Sequence, residues 1–168
     1  MSLSKPLRRI ALAGLLLGLG ATLGACSFSP VYSGALASQP LLNLAYAKPN
    51  NRLEQLIYQE LSLRLGTTTS PTAPLVTVSA SSSAADLALS QTVNPNKPMD
   101  VTVTATLTIQ RRDGMTEEPL TFTRSATANY TRNGQVLADR EASVEAAERA
   151  AVSAAESLRL AVLASLSR

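Results

Sequence analysis

The sequence predicts an α+β fold of order β-α-β-β-β-α, with two helices packed on one face of a single mostly antiparallel sheet of about four strands. Three patterns carry that prediction. Between 101 and 109, Val, Ala, Leu and Ile alternate strictly with threonine, the period of two that marks a half-buried strand. From Asp139 onward the composition turns to Ala, Glu and Arg, and apolar residues recur near every 3.6 positions, which specifies a long one-sided helix. After Asn51, leucines at helical spacing run up to Gly66. Stacking both helices on the apolar side of one sheet buries all of these stripes in two layers.

Taken in order, Leu41 to Tyr46 reads as a short strand. Asn51 followed three residues later by Glu54 has the spacing of a reciprocal helix cap. Leu53, Leu56, Ile57, Leu61 and Leu65 form its stripe, Arg52, Glu60 and Arg64 lie off it, and Gly66 stops it. A Thr/Ser/Pro loop follows at 67–74. Leu75 to Val78 and Asp86 to Leu89 have strand character on either side of Ser79 to Ser83, so they predict one irregular strand or two short ones. Asn94 to Pro98 reads as a break, and the alternating strand follows it.

Asp113-Gly114 suits a turn. The next strand, 119–131, sets Leu120, Phe122, Ala126, Ala128 and Tyr130 against Thr121, Thr123, Ser125 and Thr127. Pairing it with its predecessor as an antiparallel hairpin puts rows of threonine on the outer side. Arg124 is in phase with Phe122 and Ala126, which places a charge on the apolar face unless a bulge resets the register. In the C-terminal helix the stripe is Val144, Ala147, Ala151, Ala155, Leu158 and Val162, with Glu145 to Arg149 and Glu156 to Arg159 spaced to pair along the exposed side.

Ahead of all this, Lys5, Arg8 and Arg9 precede a short apolar stretch that ends in Leu23-Gly24-Ala25-Cys26, and Cys26 is the only cysteine of the 168 residues. A basic start, an apolar middle and a small-residue cut site make a secretory leader. A thiol directly after the cut makes it a lipoprotein leader, so residues 1–25 are expected to be removed between Ala25 and Cys26, with Cys26 then acylated. Glycines at 14, 18, 20 and 24 and a length short of about 20 apolar residues argue against a spanning helix. Residues 26–40, rich in Pro, Gly and Ser, read as a lipidated tether, and 41–168 as a single domain.

Net charge at neutral pH is +3, but all three basic residues of the leader go with it, leaving 12 basic and 12 acidic side chains. A basic patch of the kind that binds nucleic acid is therefore not indicated. Without histidine, and with its one thiol consumed by lipid, the chain cannot build a His-dependent triad or a His/Cys zinc site. Glu117-Glu118, the only adjacent acidic pair, lies in a turn context beside Pro119 and reads as solvated charge. The expectation is a non-enzyme with no cofactor beyond the covalent lipid on Cys26.

Cys26, Phe28, Pro30 and Tyr32 make a Cys-x-Phe-x-Pro-x-Tyr element, and downstream lie Asp86-Leu87, the alternating strand ending at Arg111, the Ala-x-Ala-x-Tyr stretch at 126–130, and Glu148-Arg149-Ala150-Ala151 in an Ala/Glu/Arg helix. In this order and spacing the chain resembles the lipopolysaccharide-assembly lipoprotein family LptE, in its alphaproteobacterial form. Ser27 where glycine is common and a Ser/Thr-rich middle are departures. The resemblance implies an outer-membrane lipoprotein on the periplasmic side that plugs and helps assemble the LptD β-barrel and contacts lipopolysaccharide. Ser27 in place of Asp fits transfer to the outer membrane under the sorting rule of enteric bacteria. Lipopolysaccharide carries phosphates and carboxylates that suit arginine, so Arg111, Arg112, Arg124 and Arg132 are the candidate contacts. An auxiliary lipoprotein of an inner-membrane lipid ABC transporter is the alternative.

Overall fold

Asn51 adopts extended backbone angles, φ −145° and ψ 172°, and its side chain accepts the Glu54 N–H at 2.9 Å. The Glu54 carboxylate answers by accepting from the Asn50 N–H at 2.7 Å and from Asn51 Nδ2 at 3.1 Å. The reciprocal cap read from the sequence is present, with its backbone donor one residue earlier than usual. These donors let Glu54 sit only 4% exposed. The helix they start, α1, spans Arg52–Leu65 and stops at Gly66, whose φ of 78° favours glycine.

The structure, a computed structural model, describes residues 43–87, 96–114 and 118–166, all within the compact unit Gly34–Arg168. The remaining elements are β1 at Ala45–Tyr46, β2 at Leu75–Asp86, β3 at Lys97–Gln110, β4 at Leu120–Arg132 and α2 at Val136–Leu166. The sheet order is β1-β2-β3-β4. β1 runs parallel to β2 across the α1 crossover, and the other pairs are antiparallel. The predicted class, element order and helix placement hold.

Several boundaries move, each for a local reason. β1 is only Ala45–Tyr46, with 41 and 42 outside the described residues. It is short because α1 takes over the outer edge of β2. Ala47 N–H still donates to Val76 O at 2.9 Å, but two residues on the Val78 N–H donates to the Tyr58 hydroxyl at 2.8 Å, and Asn51 Nδ2 reaches Ala80 O at 3.4 Å. An edge that would otherwise offer open hydrogen bonds is covered by side chains of a helix. β2 itself is one continuous strand: Ser79 to Ser83 pair with Thr106 to Thr102, and Leu87 lies past its end. Lys97 and Pro98, read as part of a break, open β3.

β3 is the central strand, and Met99, Val101, Val103, Ala105, Leu107 and Ile109 are all buried. Facing them is α2, whose buried row is wider than the sequence stripe. Ala146, Ala150 and Ala154 join Ala147, Ala151 and Ala155, whereas Val144 is 47% exposed and does not belong to it. Two adjacent rows of alanine allow close approach to the sheet and to α1 together. The helix also starts before Asp139. That carboxylate accepts the N–H groups of Asn133 and Gly134 at 2.9 and 3.0 Å, so it caps from within the first turn and extends the helix back to Val136.

Candidate functional site: a hydroxyl face and separated arginines

The side of the sheet away from the helices is built almost wholly from Ser and Thr. The register aligns Thr77, Thr108 and Thr121 across three strands, then Ser79, Thr106 and Thr123, then Ser81, Thr104 and Ser125, then Ser83, Thr102 and Thr127. These are four rungs of three hydroxyls. On the β3–β4 side three rungs close as hydroxyl pairs, Thr102 with Thr127 at 2.9 Å, and Thr104 with Ser125 and Thr106 with Thr123 at 3.0 Å. Asp100, bonded to Asn129 Nδ2, is the sole charge among the strand residues on this face.

Physically this face is stiff and polar, and Asp100 is its one charge among the strand residues. β-branched threonine holds one or few rotamers in a strand, so little side-chain entropy remains to be lost on contact. Each hydroxyl keeps acceptor capacity beyond its cross-strand bond. Among the described residues no group of three His, Cys, Asp or Glu is placed to hold a metal. Cys26, Ala25 and Glu117 lie outside the described residues.

The four candidate arginines are not brought together. Arg111 and Arg112 follow β3 at one end of the sheet and line a cavity of about 390 Å³. Arg111 pairs with Asp113 at 3.2 Å, and Arg112 Nε donates to Ala73 O at 2.8 Å. Arg132 lies at the far end of β4, paired with Asp86 at 3.7 Å. Between the two ends runs the 14-residue β3, about 45 Å at strand rise. Arg124 pairs in register with Ala105, and no bulge interrupts the ladder from Lys97 to Ile109. Its side chain is therefore on the helix side and escapes burial by turning outward to its neighbour, Nη1 donating to Thr123 O at 2.8 Å.

Two tyrosines had no role in the sequence reading. Tyr46 and Tyr58 meet edge to face at 5.9 Å, and burial pushes both phenols above their ordinary range. The Tyr58 position falls one residue from Ile57, inside the helical spacing but with a polar tip, so the pattern of leucines alone does not reveal it. Its role depends on the Val78 N–H across the fold.

No protein-family model matches the sequence, and neither does any curated protein. Solved structures do match. A lipoprotein candidate from Caulobacter crescentus superposes with a TM-score of 0.52 at 18% identity, covering 76% of this chain and 93% of that one. The minor lipoprotein of Acinetobacter baumannii gives 0.53 at 16%, covering 76% and 96%. Rare lipoprotein B from Shewanella oneidensis gives 0.50 at 17%, covering 74% and 94%. The chain shares the fold of these lipoproteins. At such identities the likeness is one of architecture, and it spans nearly the whole of each neighbour.

Proposed function

We propose that the protein is an outer-membrane lipoprotein, acylated at Cys26 on the periplasmic side, that plugs and helps assemble an LptD-type β-barrel and takes part in lipopolysaccharide transport to the surface. The observation that carries this reading is the hydroxyl face spanning three strands, with Asp100 at one end as its one charged strand residue. The lumen of a large outer-membrane barrel is polar. A sheet that offers rigid hydroxyls in four aligned rungs matches such a wall by hydrogen bonding, and the rungs themselves bury no charge. The lipoprotein leader and the family resemblance supply the rest, since more than one acyl chain gives stable anchoring. No catalytic group is required.

Depletion of the protein is expected to reduce surface lipopolysaccharide, and affinity purification is expected to bring down a heat-modifiable β-barrel. Retained surface display, or recovery of an ATPase complex in place of a barrel, would refute the proposal. A sharper version replaces Thr104 and Thr123 together by lysine. Both are exposed, so the circular dichroism spectrum should be unchanged while recovery of the barrel falls at least tenfold.

A further inference from the structure

We propose that the outer edge of β4 fits the same edge of a second copy of this chain, and that Arg124 and Arg149 hold that edge closed in the single copy. β4 is the last strand of the sheet, and no strand of the described residues lies beyond it. In an antiparallel ladder the N–H and C=O of one residue point to the same side, and successive residues alternate sides. Two carbonyls show which set points outward. Thr123 O accepts from Arg124 Nη1 at 2.8 Å, and Asn129 O accepts from Arg149 Nη2 at 2.9 Å. The outward set is therefore Thr121, Thr123, Ser125, Thr127, Asn129 and Thr131.

The strand is complementary to itself. Ala126 is the middle residue of Leu120–Arg132, so antiparallel pairing of two copies about a two-fold axis at Ala126 uses the whole strand. The outward residues then meet as Thr121 with Thr131, Thr123 with Asn129 and Ser125 with Thr127, which continues the polar face across the axis. On the helix side Phe122 meets Tyr130, a favourable aromatic pair. Arg124 meets Ala128 and Leu120 meets Arg132, so no charge faces a like charge. The same patch serves both copies, as a two-fold contact requires. The apolar row of β4 also has burial to gain. Phe122, Ala126, Ala128 and Tyr130 are only half-buried against the core, whereas the row beside them on β3 is buried.

Two arginines stand in the way. Arg124 comes from β4 itself and Arg149 from α2, whose Nη1 is held by Glu145 Oε1 at 2.8 Å. The two carbonyls they take are about 20 Å apart along the strand. Because Thr123 and Asn129 face each other in the two-fold register, both caps must be withdrawn before the outer hydrogen bonds of the contact form. Only Ser125 and Thr127 point outward between them, a stretch shorter than an ordinary strand. A bond from a charged donor is stronger than the neutral backbone bond that would replace it, and charged side chains on an edge discourage pairing. The inference stands on β4 and α2 alone and does not depend on the transport reading.

The test is sedimentation equilibrium of the mature acylated protein in neutral, density-matched detergent micelles over a range of protein concentrations. The wild-type protein is expected as a single copy, and Arg124→Thr combined with Arg149→Gln as a dimer. Adding Ala126→Cys to that double variant should give a disulfide-linked dimer under mild oxidation. The central pair of this register is a non-hydrogen-bonded one with Cα atoms about 4.5 Å apart, within disulfide reach. Cys26 is the only native cysteine, and its acylated form offers no competing thiol. Thr121→Cys, which meets Thr131 and not itself, should not link. Thr127→Pro removes an outward N–H, a change that an edge strand tolerates, and should return the double variant to a single copy. If the double variant loses its circular dichroism signal, Arg124→Thr alone leaves α2 untouched and should dimerise at least tenfold more tightly than the wild type. A folded double variant that stays single, or an Arg124→Thr protein no tighter than the wild type, would overturn the proposal. So would a dimer that Ala126→Cys does not link or Thr127→Pro does not dissolve. A wild-type protein that links through Ala126→Cys as readily as the arginine variant would overturn the closure by the two arginines.

Discussion

The two faces of β3 are made from the same 14 residues and do opposite work. Val101, Val103, Ala105, Leu107 and Ile109 are 0 to 2% exposed beneath the helices, and the threonines between them carry the open face. Full burial of a Val, Leu or Ile side chain is worth about 1.5 to 3 kcal/mol, so the inner face supplies most of this strand's stability. Cross-strand threonine pairs contribute about 0.2 to 1 kcal/mol each. Threonine nevertheless keeps the branched Cβ that strands favour, and it does so without creating the large apolar patch that valine would expose. The outer face is thus free to be shaped for a partner while the inner face holds the fold.

Neighbouring substitutions on β3 test that division most strongly. Leu107→Ala removes a side chain that is 1% exposed and should cost about 2 to 5 kcal/mol in chemical denaturation. Thr106→Val, one residue away on the other face, should stay within about 0.5 kcal/mol. Equal losses would mean that the outer face is itself packed, and the comparison would fail. The alanine rows of α2 give the next effect. Ala154 is fully buried, and Ala154→Leu should overfill the helix–sheet contact and cost about 1 to 3 kcal/mol. A neutral result would show that the sheet has room for larger residues and that small size is not what sets the helix position.

A subtler break lies where the inner face meets the edge of β2. Tyr58→Phe keeps the ring and deletes the hydroxyl that takes the Val78 N–H. Leaving that buried donor unpaired should cost about 1 to 3 kcal/mol, and hydrogen exchange at Val78 should quicken before that at Val103. Unchanged protection would mean that the edge is closed by β1 alone.

What the sequence revealed follows the same split. The buried alternation of β3, the cap at Asn51 and the stop at Gly66 are local signals, and all three appear where expected. Ser79 to Ser83 carry no strand propensity, and they are a strand only because their partners at 102–106 are one. Arg124 is in phase with an apolar face and survives there because β4 is an edge strand whose long side chain can turn out to Thr123 O. Val144 fits the helical period, but the buried stripe of α2 shifts to the neighbouring row at Ala146, where the helix touches sheet and α1 together. The rungs of hydroxyls were legible as two threonine rows. That β2 adds a third depends on a long-range register. Likewise the sequence names four arginines, and only tertiary structure divides them into a pair at one end and two distant singles.

The weakest contributor lies on neither face of the sheet. On α2, Arg159 donates from Nε and Nη2 to the two oxygens of Glu156, at 2.9 and 2.5 Å. That bidentate bond, more than any other influence, holds the Glu156 carboxyl below its ordinary value of 4.5, with attraction to Arg64 of α1 adding to it. Because the folded-state value is the lower one, the stabilisation is present above about pH 4.5 and is lost as the pH falls through the depressed value. The pair is solvent-exposed on the glutamate side, so its worth is small, ~0.3–0.5 kcal/mol, and it shrinks with added salt. Arg159→Gln should return the Glu156 titration, followed by carboxyl NMR, toward 4.5 and flatten the acid limb of stability by that amount. A titration left where it was would assign the shift to Arg64, and with it a share of the stability to the contact between the two helices.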